Sequence, residues 1–369
     1  MDHRFGGTEY TVGIEEELML LDSETLDLTQ GIEAILDELG EPFEGRVKPE
    51  LMQSVLEIAS APHPTVAEAG EELRELRRTV GAAAERRGML LAASGTHPSA
   101  LWEQQLIVER PRYEELATEL GYIAHRELIF GTHVHVGVSG ADKAIYIADG
   151  IRKHLPLLLA LSANSPLWRG HVTGMMSSRT PVFRAFPRVG IPPHYGSWEI
   201  YSSRVQLMMD AGAIPDYTYL WFDVRPHPNL GTVEVRVFDQ QTRLDTTICL
   251  AALVVALVHR YAALFDEEMA LVSVPTELID DNKVRAALRG TDGELVDFPA
   301  PHQRHATELA SRLLDELREH AEQLGCEEEI DGVRDLIEKG TGAHRQLEVL
   351  RGSDDVKGLV RALCEASAV

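Results

Sequence analysis

The chain has 369 residues, 44% of them hydrophobic, which is enough to bury one large core or two ordinary ones and excludes a disordered polymer. Thirty-five basic residues stand against 59 acidic ones, a formal net charge of −24, so nucleic-acid or membrane binding by charge is excluded as a main role. Half of that excess lies in the 104 residues from Asp266 onward. Alternating apolar and polar residues predict strands near 10–21, 53–60, 89–94, 129–138, 217–224 and 230–238. Thr65 with Glu68 forms a capping box and predicts a helix from there to about Gly88. A second helix, about 141–163, contains Pro156 and should kink there before Asn164-Ser165-Pro166 stops it. Asp245 is placed to cap an apolar helix over 246–264, greasy nearly all round and therefore central. After about residue 300 the pattern is helical with no strand candidate.

The longest unbroken apolar run, Ile248–Val258, is well short of the ~20 residues that a bilayer crossing needs. Met1–Phe5 lacks the apolar stretch of a signal peptide, and Cys249, Cys326 and Cys364 are far apart without CxxC spacing. These features predict a soluble cytoplasmic protein with free thiols. The stretch 164–197 carries five prolines and Arg169, Arg179, Arg184 and Arg188. A long loop with four arginines in so acidic a protein suggests donors for carboxylate or phosphate, the other reading being an ordinary solvated loop.

Four segments carry chemistry. In Gly13-Ile14-Glu15-Glu16-Glu17-Leu18, strand alternation sends Glu15 and Glu17 to one face and Ile14, Glu16 and Leu18 to the other. Two carboxylates side by side repel unless a cation sits between them. Glu57 lies among Val55, Leu56, Ile58 and Ala59, so it needs a partner. Glu50 is an odd number of residues away and can join it only if a turn or bulge intervenes. In Gly131-Thr132-His133-Val134-His135-Val136-Gly137 both imidazoles share a face, a pattern suited either to a metal or to hydrogen bonding. In Gly231-Thr232-Val233-Glu234-Val235-Arg236, Glu234 and Arg236 share a face, either as a simple ion pair or as a cation ligand beside a phosphoryl-binding arginine. An oxygen-rich set of this kind suits Mg²⁺ or Mn²⁺ rather than structural zinc. No GxxxxGK[ST] or GxGxxG occurs, so a nucleotide would be held by metals and arginines.

Together with Glu57-Ile58, Asn164-Ser165-Pro166-Leu167-Trp168-Arg169-Gly170, Ser178-Arg179 and His227-Pro228-Asn229-Leu230, these segments run in order from residue 13 to about 243. The sequence resembles the glutamate–cysteine ligase type 2 family, in particular its carboxylate–amine ligase branch. The resemblance implies an α+β, glutamine-synthetase-like catalytic fold, a curved, mostly antiparallel sheet backed by helices. It implies one ligase domain over 1–369, with a catalytic core in 1–300 and an acidic helical tail, 301–369, packed on it. It also implies ATP and Mg²⁺, or Mn²⁺, as cofactors, small carboxylate and amine substrates, and a homodimer. Carried over by motif, Glu15, Glu17, Glu50, Glu57, His133 and Glu234 would be metal ligands. Arg236 and Glu57 would be catalytic, and Arg179, Arg236 and His133 would contact nucleotide or substrate. The role of His135 stays open. A metal-dependent hydrolase of the amidohydrolase kind, whose site also begins with His-x-His, is the alternative; a binding protein that kept the fold is a third reading.

Overall fold

A computed structural model describes residues 1–298, 301–353 and 355–369. Its strands, in chain order, are β1 (Val12–Asp22), β2 (Val47–Pro49), β3 (Val55–Ala59), β4 (Met89–Ala92) and β5 (Gly131–Gly137). Four two-residue strands follow: β6 (Leu167–Trp168), β7 (His171–Val172), β8 (Val189–Gly190) and β9 (Trp221–Phe222). Then come β10 (Val224–His227), β11 (Thr232–Asp239), β12 (Glu294–Asp297) and β13 (His302–His305). Seven of them form one sheet in the order β10-β11-β5-β1-β3-β2, with β4 continuing beside the far end of β1. Every pairing in it is antiparallel. An amidohydrolase barrel needs parallel strands joined by repeated βα units, so this sheet is the wrong architecture for that alternative.

One face of the sheet is apolar and rests on helices. Ile14, Leu18, Val134, Val136, Val233 and Val235 are buried there against the helices Val66–Arg86, Leu155–Ser162 and Leu244–Asp266. Glu16 is the exception on that face, and it is fully buried. Arg77 of the first helix clasps it with two bonds of 2.7 Å, and Thr247 and Gln240 complete its shell at 2.6 and 3.0 Å. Removing one partner of such a buried pair typically costs about 3–5 kcal/mol, so this charge pins the registry of β1 on the helix layer.

Thr65 caps its helix as expected, accepting the amide of Glu68. The predicted kink is a 3₁₀ turn over Arg152–His154, and Pro156 opens the following helix Leu155–Ser162. The central apolar helix starts slightly earlier than expected. Arg243 is its N-cap and Asp245 sits in the first turn, where it meets Arg74 at 3.4 Å instead of capping. By length and composition this helix could cross a bilayer, yet it lies in the middle of the protein with two-thirds of its most apolar stretch buried (67%).

Three further sequence expectations need correction. The strand predicted over 217–224 is a 3₁₀ turn, Tyr217–Tyr219, followed by β9 and β10 with a break at Asp223; the Asp216 side chain accepts the Thr218 amide at 2.7 Å and starts the turn. The region past 300 does hold a strand, β13, paired with β12, which Asn282 fixes through both the amide and the carbonyl of Val296. The stretch 164–197 is no open loop. It contains the short helix Arg179–Phe183, and its Asn164, Ser165 and Ser177 are buried around the Asp239 carboxylate at 2.6–2.8 Å. The division expected between 300 and 301 falls at residues 299–300, outside the described residues. Across it, the helices Ala306–Leu324 and Glu327–Lys339 pack on the central helix, and Gln346 bonds Asn164 at 2.8 Å.

Candidate active site

The opposite face of the sheet opens into a cavity of about 380 Å³. Strand register decides what enters it. Across β1 and β5, Glu15 faces His133; across β1 and β3, Glu17 faces Glu57; across β11 and β5, Glu234 faces His135. All six expected ligand residues line this cavity, and they sort into two groups of three. Glu15, His133 and Glu234 form one, and Glu17, Glu50 and Glu57 the other; in each, one ligand atom per residue lies within 4.8 Å of the others. Glu50 reaches its group because the chain turns between β2 and β3, the intervening turn that its odd spacing requires.

The all-carboxylate group is electrostatically unsatisfied. Glu57 bonds Lys48 at 2.8 Å, and Glu17 accepts the Gly131 amide at 2.5 Å. Burial, opposed by Arg179 and reinforced by Glu57, pushes Glu17 up to about 7. Burial and then the neighbouring carboxylates raise Glu50 well above the usual range and raise Glu57 as well. Three carboxyls, Glu57 buried and Glu17 and Glu50 half-buried, that resist ionising together are what a hard divalent cation would stabilise, and oxygen-only donors match Mg²⁺ or Mn²⁺. The residues therefore fit the metal.

The second group is already ionised. For Glu15 burial is outweighed by the His135 and His133 imidazoles, which hold it well below the usual carboxylate range. Glu234 is likewise held well down, against burial, by Arg225 and Arg236. Arg225 meets it at 2.6 Å and Arg236 forms a short contact with the other oxygen. Burial, aided by Arg236, takes His133 down to about 4, so its ring is neutral and able to ligate, 3.2 Å from Glu15. His135 bonds Thr232 at 3.1 Å through Nδ1 and leaves Nε2 buried without a hydrogen bond, 3.7 Å from both Glu15 and Glu234. That orphaned nitrogen is a second sign that an additional group belongs here.

Of the four arginines in 164–197, only Arg179 lines this cavity. Arg169 pairs with Glu103, Arg184 with Asp280, and Arg188 bonds the Tyr219 carbonyl and lies over Trp221. Arg169 and Arg184 are committed to these carboxylates, and Arg188, whose buried Nη2 has no hydrogen-bond partner, does not line this cavity. Arg179 is 5% exposed, and its buried Nε has no hydrogen-bond partner. Lys48, Arg225 and Glu127 also line the cavity and were missed from the sequence. Arg225 faces Glu234 across β10 and β11, a relation that only the register reveals.

The carboxylate group makes a pH prediction. A carboxyl raised in the folded state keeps a proton that the unfolded chain has released, so between about 4.5 and about 7 Glu17 costs stability as pH rises. Buried histidines such as His97 and His133, both taken to about 4, act in the opposite sense over much of that range. The difference between wild type and Glu17→Gln cancels the histidines and reports Glu17 together with its repulsion of Glu50. In EDTA the variant should gain on wild type as pH rises from about 5 to about 7.5, by at most about 1.4 kcal/mol per pH unit, and saturating Mg²⁺ should reverse the order. Denaturant unfolding at several pH values checks this; a difference independent of pH and metal would mean that Glu17 titrates as an ordinary carboxyl.

The model of glutamate–cysteine ligase family 2 matches residues 11–366. A Rubrobacter xylanophilus relative provisionally named glutamate–cysteine ligase 2-1 is 42% identical over 100% of this chain and 97% of its own. A provisionally named glutamate–cysteine ligase 2 from Sorangium cellulosum is 39% identical over 98% and 97%. Among solved structures, Francisella tularensis glutamate–cysteine ligase in complex with AMP superposes with a TM-score of 0.72 at 15% identity, covering 100% of this chain and 90% of that one. A bifunctional glutathione synthetase from Pasteurella multocida gives 0.70 at 14% identity, over 98% of this chain and 52% of that one.

Proposed function

The chain belongs to glutamate–cysteine ligase family 2, and from that premise we propose that it is an ATP-dependent carboxylate–amine ligase acting on the γ-carboxylate of glutamate. The observation that carries the reading is the pair of three-residue ligand groups on one face of the sheet, with Arg236 against the second of them and Arg179 on the same wall. Glu17, Glu50 and Glu57 would hold one divalent cation, and Glu15, His133 and Glu234 another; bound there, Mg²⁺ would neutralise the phosphates of ATP.

The chain's own residues do the rest. Arg236, anchored by Glu234 and 3.4 Å from His133, offers its guanidinium to the phosphoryl group as it transfers. The substrate carboxylate attacks the γ-phosphorus, ADP leaves, and an acyl phosphate forms. An amine then attacks the acyl carbon and inorganic phosphate departs. Arg179, with its unpartnered Nε, is the donor placed to hold an anionic end of the carboxylate substrate or nucleotide. Phe183 and Phe186 line the cavity beside it and limit the water that can reach the activated acyl group.

Incubating the protein with ATP, Mg²⁺, glutamate and a panel of amines that includes cysteine tests the proposal. ADP should accumulate only when glutamate and an accepted amine are both present, with one amide formed per ADP. ADP release that ignores the amine, or none with any pair, would overturn it.

A further inference from the structure

We infer that Lys283, from the helix Thr276–Arg289, is a positioning residue for Arg236, acting through Asp223. Nothing in the sequence around Lys283 suggests a link to the site, more than forty residues earlier. The link is a chain of two contacts, with a third that anchors Asp223 from the side. Lys283 and Asp223 are both buried, 8% and 3% exposed, and their side chains meet at 2.5 Å. The Asp223 carbonyl accepts the Arg236 amide at 2.7 Å, and the Asp223 amide bonds the Gly190 carbonyl at 2.9 Å.

Arg236 needs that hold because its backbone lies in a bulge. The pairing of β11 with β5 runs through Val235↔Val134 and resumes only at Phe238↔Thr132, so Arg236 and Val237 have no ladder partner on that side. On the other side Asp223, in the break between β9 and β10, continues the Val224↔Val235 register by one residue and is the backbone partner that Arg236 keeps. From the bulge, Arg236 Nη1 reaches Glu234 and His133 while Arg179 touches the Arg236 carbonyl at 3.4 Å. Behind it a cavity of about 270 Å³, lined by Val237, Arg179, Asp223 and Lys283, leaves room for the bulge to relax backward. The ion pair lies on the wall of that cavity and holds Asp223, and through its carbonyl the bulge. A bulge re-aims a side chain, and its setting depends on what packs behind it.

The inference rests on Arg236 serving the phosphoryl group, as proposed above, and the experiment separates the two. In Lys283→Met, kcat per folded enzyme should fall at least about ten-fold, with KM for ATP changed less than about three-fold. The double variant Lys283→Met with Asp223→Asn should be no slower than Lys283→Met alone, because both changes break the same link, whereas independent roles would multiply the two losses. A role in stability alone would lower the folded fraction and leave kcat of the folded enzyme at the wild-type value, which would overturn the inference. Should Lys283→Met yield too little folded protein, Asp223→Asn, isosteric and with its backbone bonds intact, decides: a fall of about five-fold or more in kcat supports the link, and wild-type kcat overturns it. If Arg236→Lys itself leaves turnover unchanged, the reading of Arg236 fails first.

Discussion

Glu57→Gln should abolish ATP-dependent amide formation while leaving the protein folded. Glu57 is 6% exposed, faces Glu17 across the β1–β3 ladder and bonds Lys48. Glutamine keeps the volume, so no cavity forms, and it removes one of three mutually repelling carboxyls, so the metal-free protein should be no less stable than wild type. Lys48 loses its closest anion but stays near Glu15, at 3.9 Å, and is exposed enough to reach water. What the change removes is charge toward a cation. Outer-shell changes at metal sites cost roughly 10–100-fold, and loss of a direct ligand should exceed that. Two measurements check this together: turnover with ATP and glutamate, and the rise in Tm on adding Mg²⁺. Wild type should show both, and Glu57→Gln no turnover with a smaller Tm rise, since the Glu15, His133 and Glu234 group is untouched; near-normal turnover in the variant would remove Glu57 from the ligand set.

Arg236→Lys is the second large effect. The guanidinium presents a planar fork, one arm of which is committed to Glu234 and His133, while its buried Nε has no hydrogen-bond partner. Lysine keeps the positive charge that attracts ATP but concentrates it at one point and loses the fork. Interactions that strengthen only as the phosphoryl group transfers are the ones lost, so kcat should fall by roughly 10²–10³, as when one preorganised donor is removed from a transition-state site. Nucleotide affinity, measured by titration with a non-hydrolysable ATP analogue, should change by no more than about three-fold. If affinity collapses while kcat survives, Arg236 is a ground-state contact.

Much of this site was legible because strand alternation is a local rule. It assigned Glu15 and Glu17 to one face, His133 and His135 to another strand's equivalent, and Glu234 with Arg236 to a third. The odd spacing of Glu50 and Glu57 even required the turn that the chain makes. Cross-strand partners were another matter. Lys48 and Arg225 touch Glu57 and Glu234 through pairings between strands, and periodicity within one strand contains no information about its neighbour's register. Arg184 and Arg188 misled for the same reason: their partners, Asp280 and the Tyr219 carbonyl, are distant or backbone groups that a residue-type argument does not see. The buried pair Lys283–Asp223 lies beyond any motif at all.

The Glu16–Arg77 clasp has a consequence for how the polypeptide matures. Arg77 also donates to the Gln241 and Thr242 carbonyls at 2.8 and 2.9 Å and to the Ser367 carbonyl at 3.4 Å, while the Ser367 hydroxyl accepts the Ala93 amide at 2.9 Å. The strand bearing Glu15 and Glu17 is synthesised early, yet the buried guanidinium beneath it is completed by a residue 290 positions later. A nascent chain halted on the ribosome after β11 would own the whole metal-facing surface and still expose an unfinished charged seam on its underside. Folding of the ligand-bearing sheet should therefore finish only after residue 367 has cleared the exit tunnel.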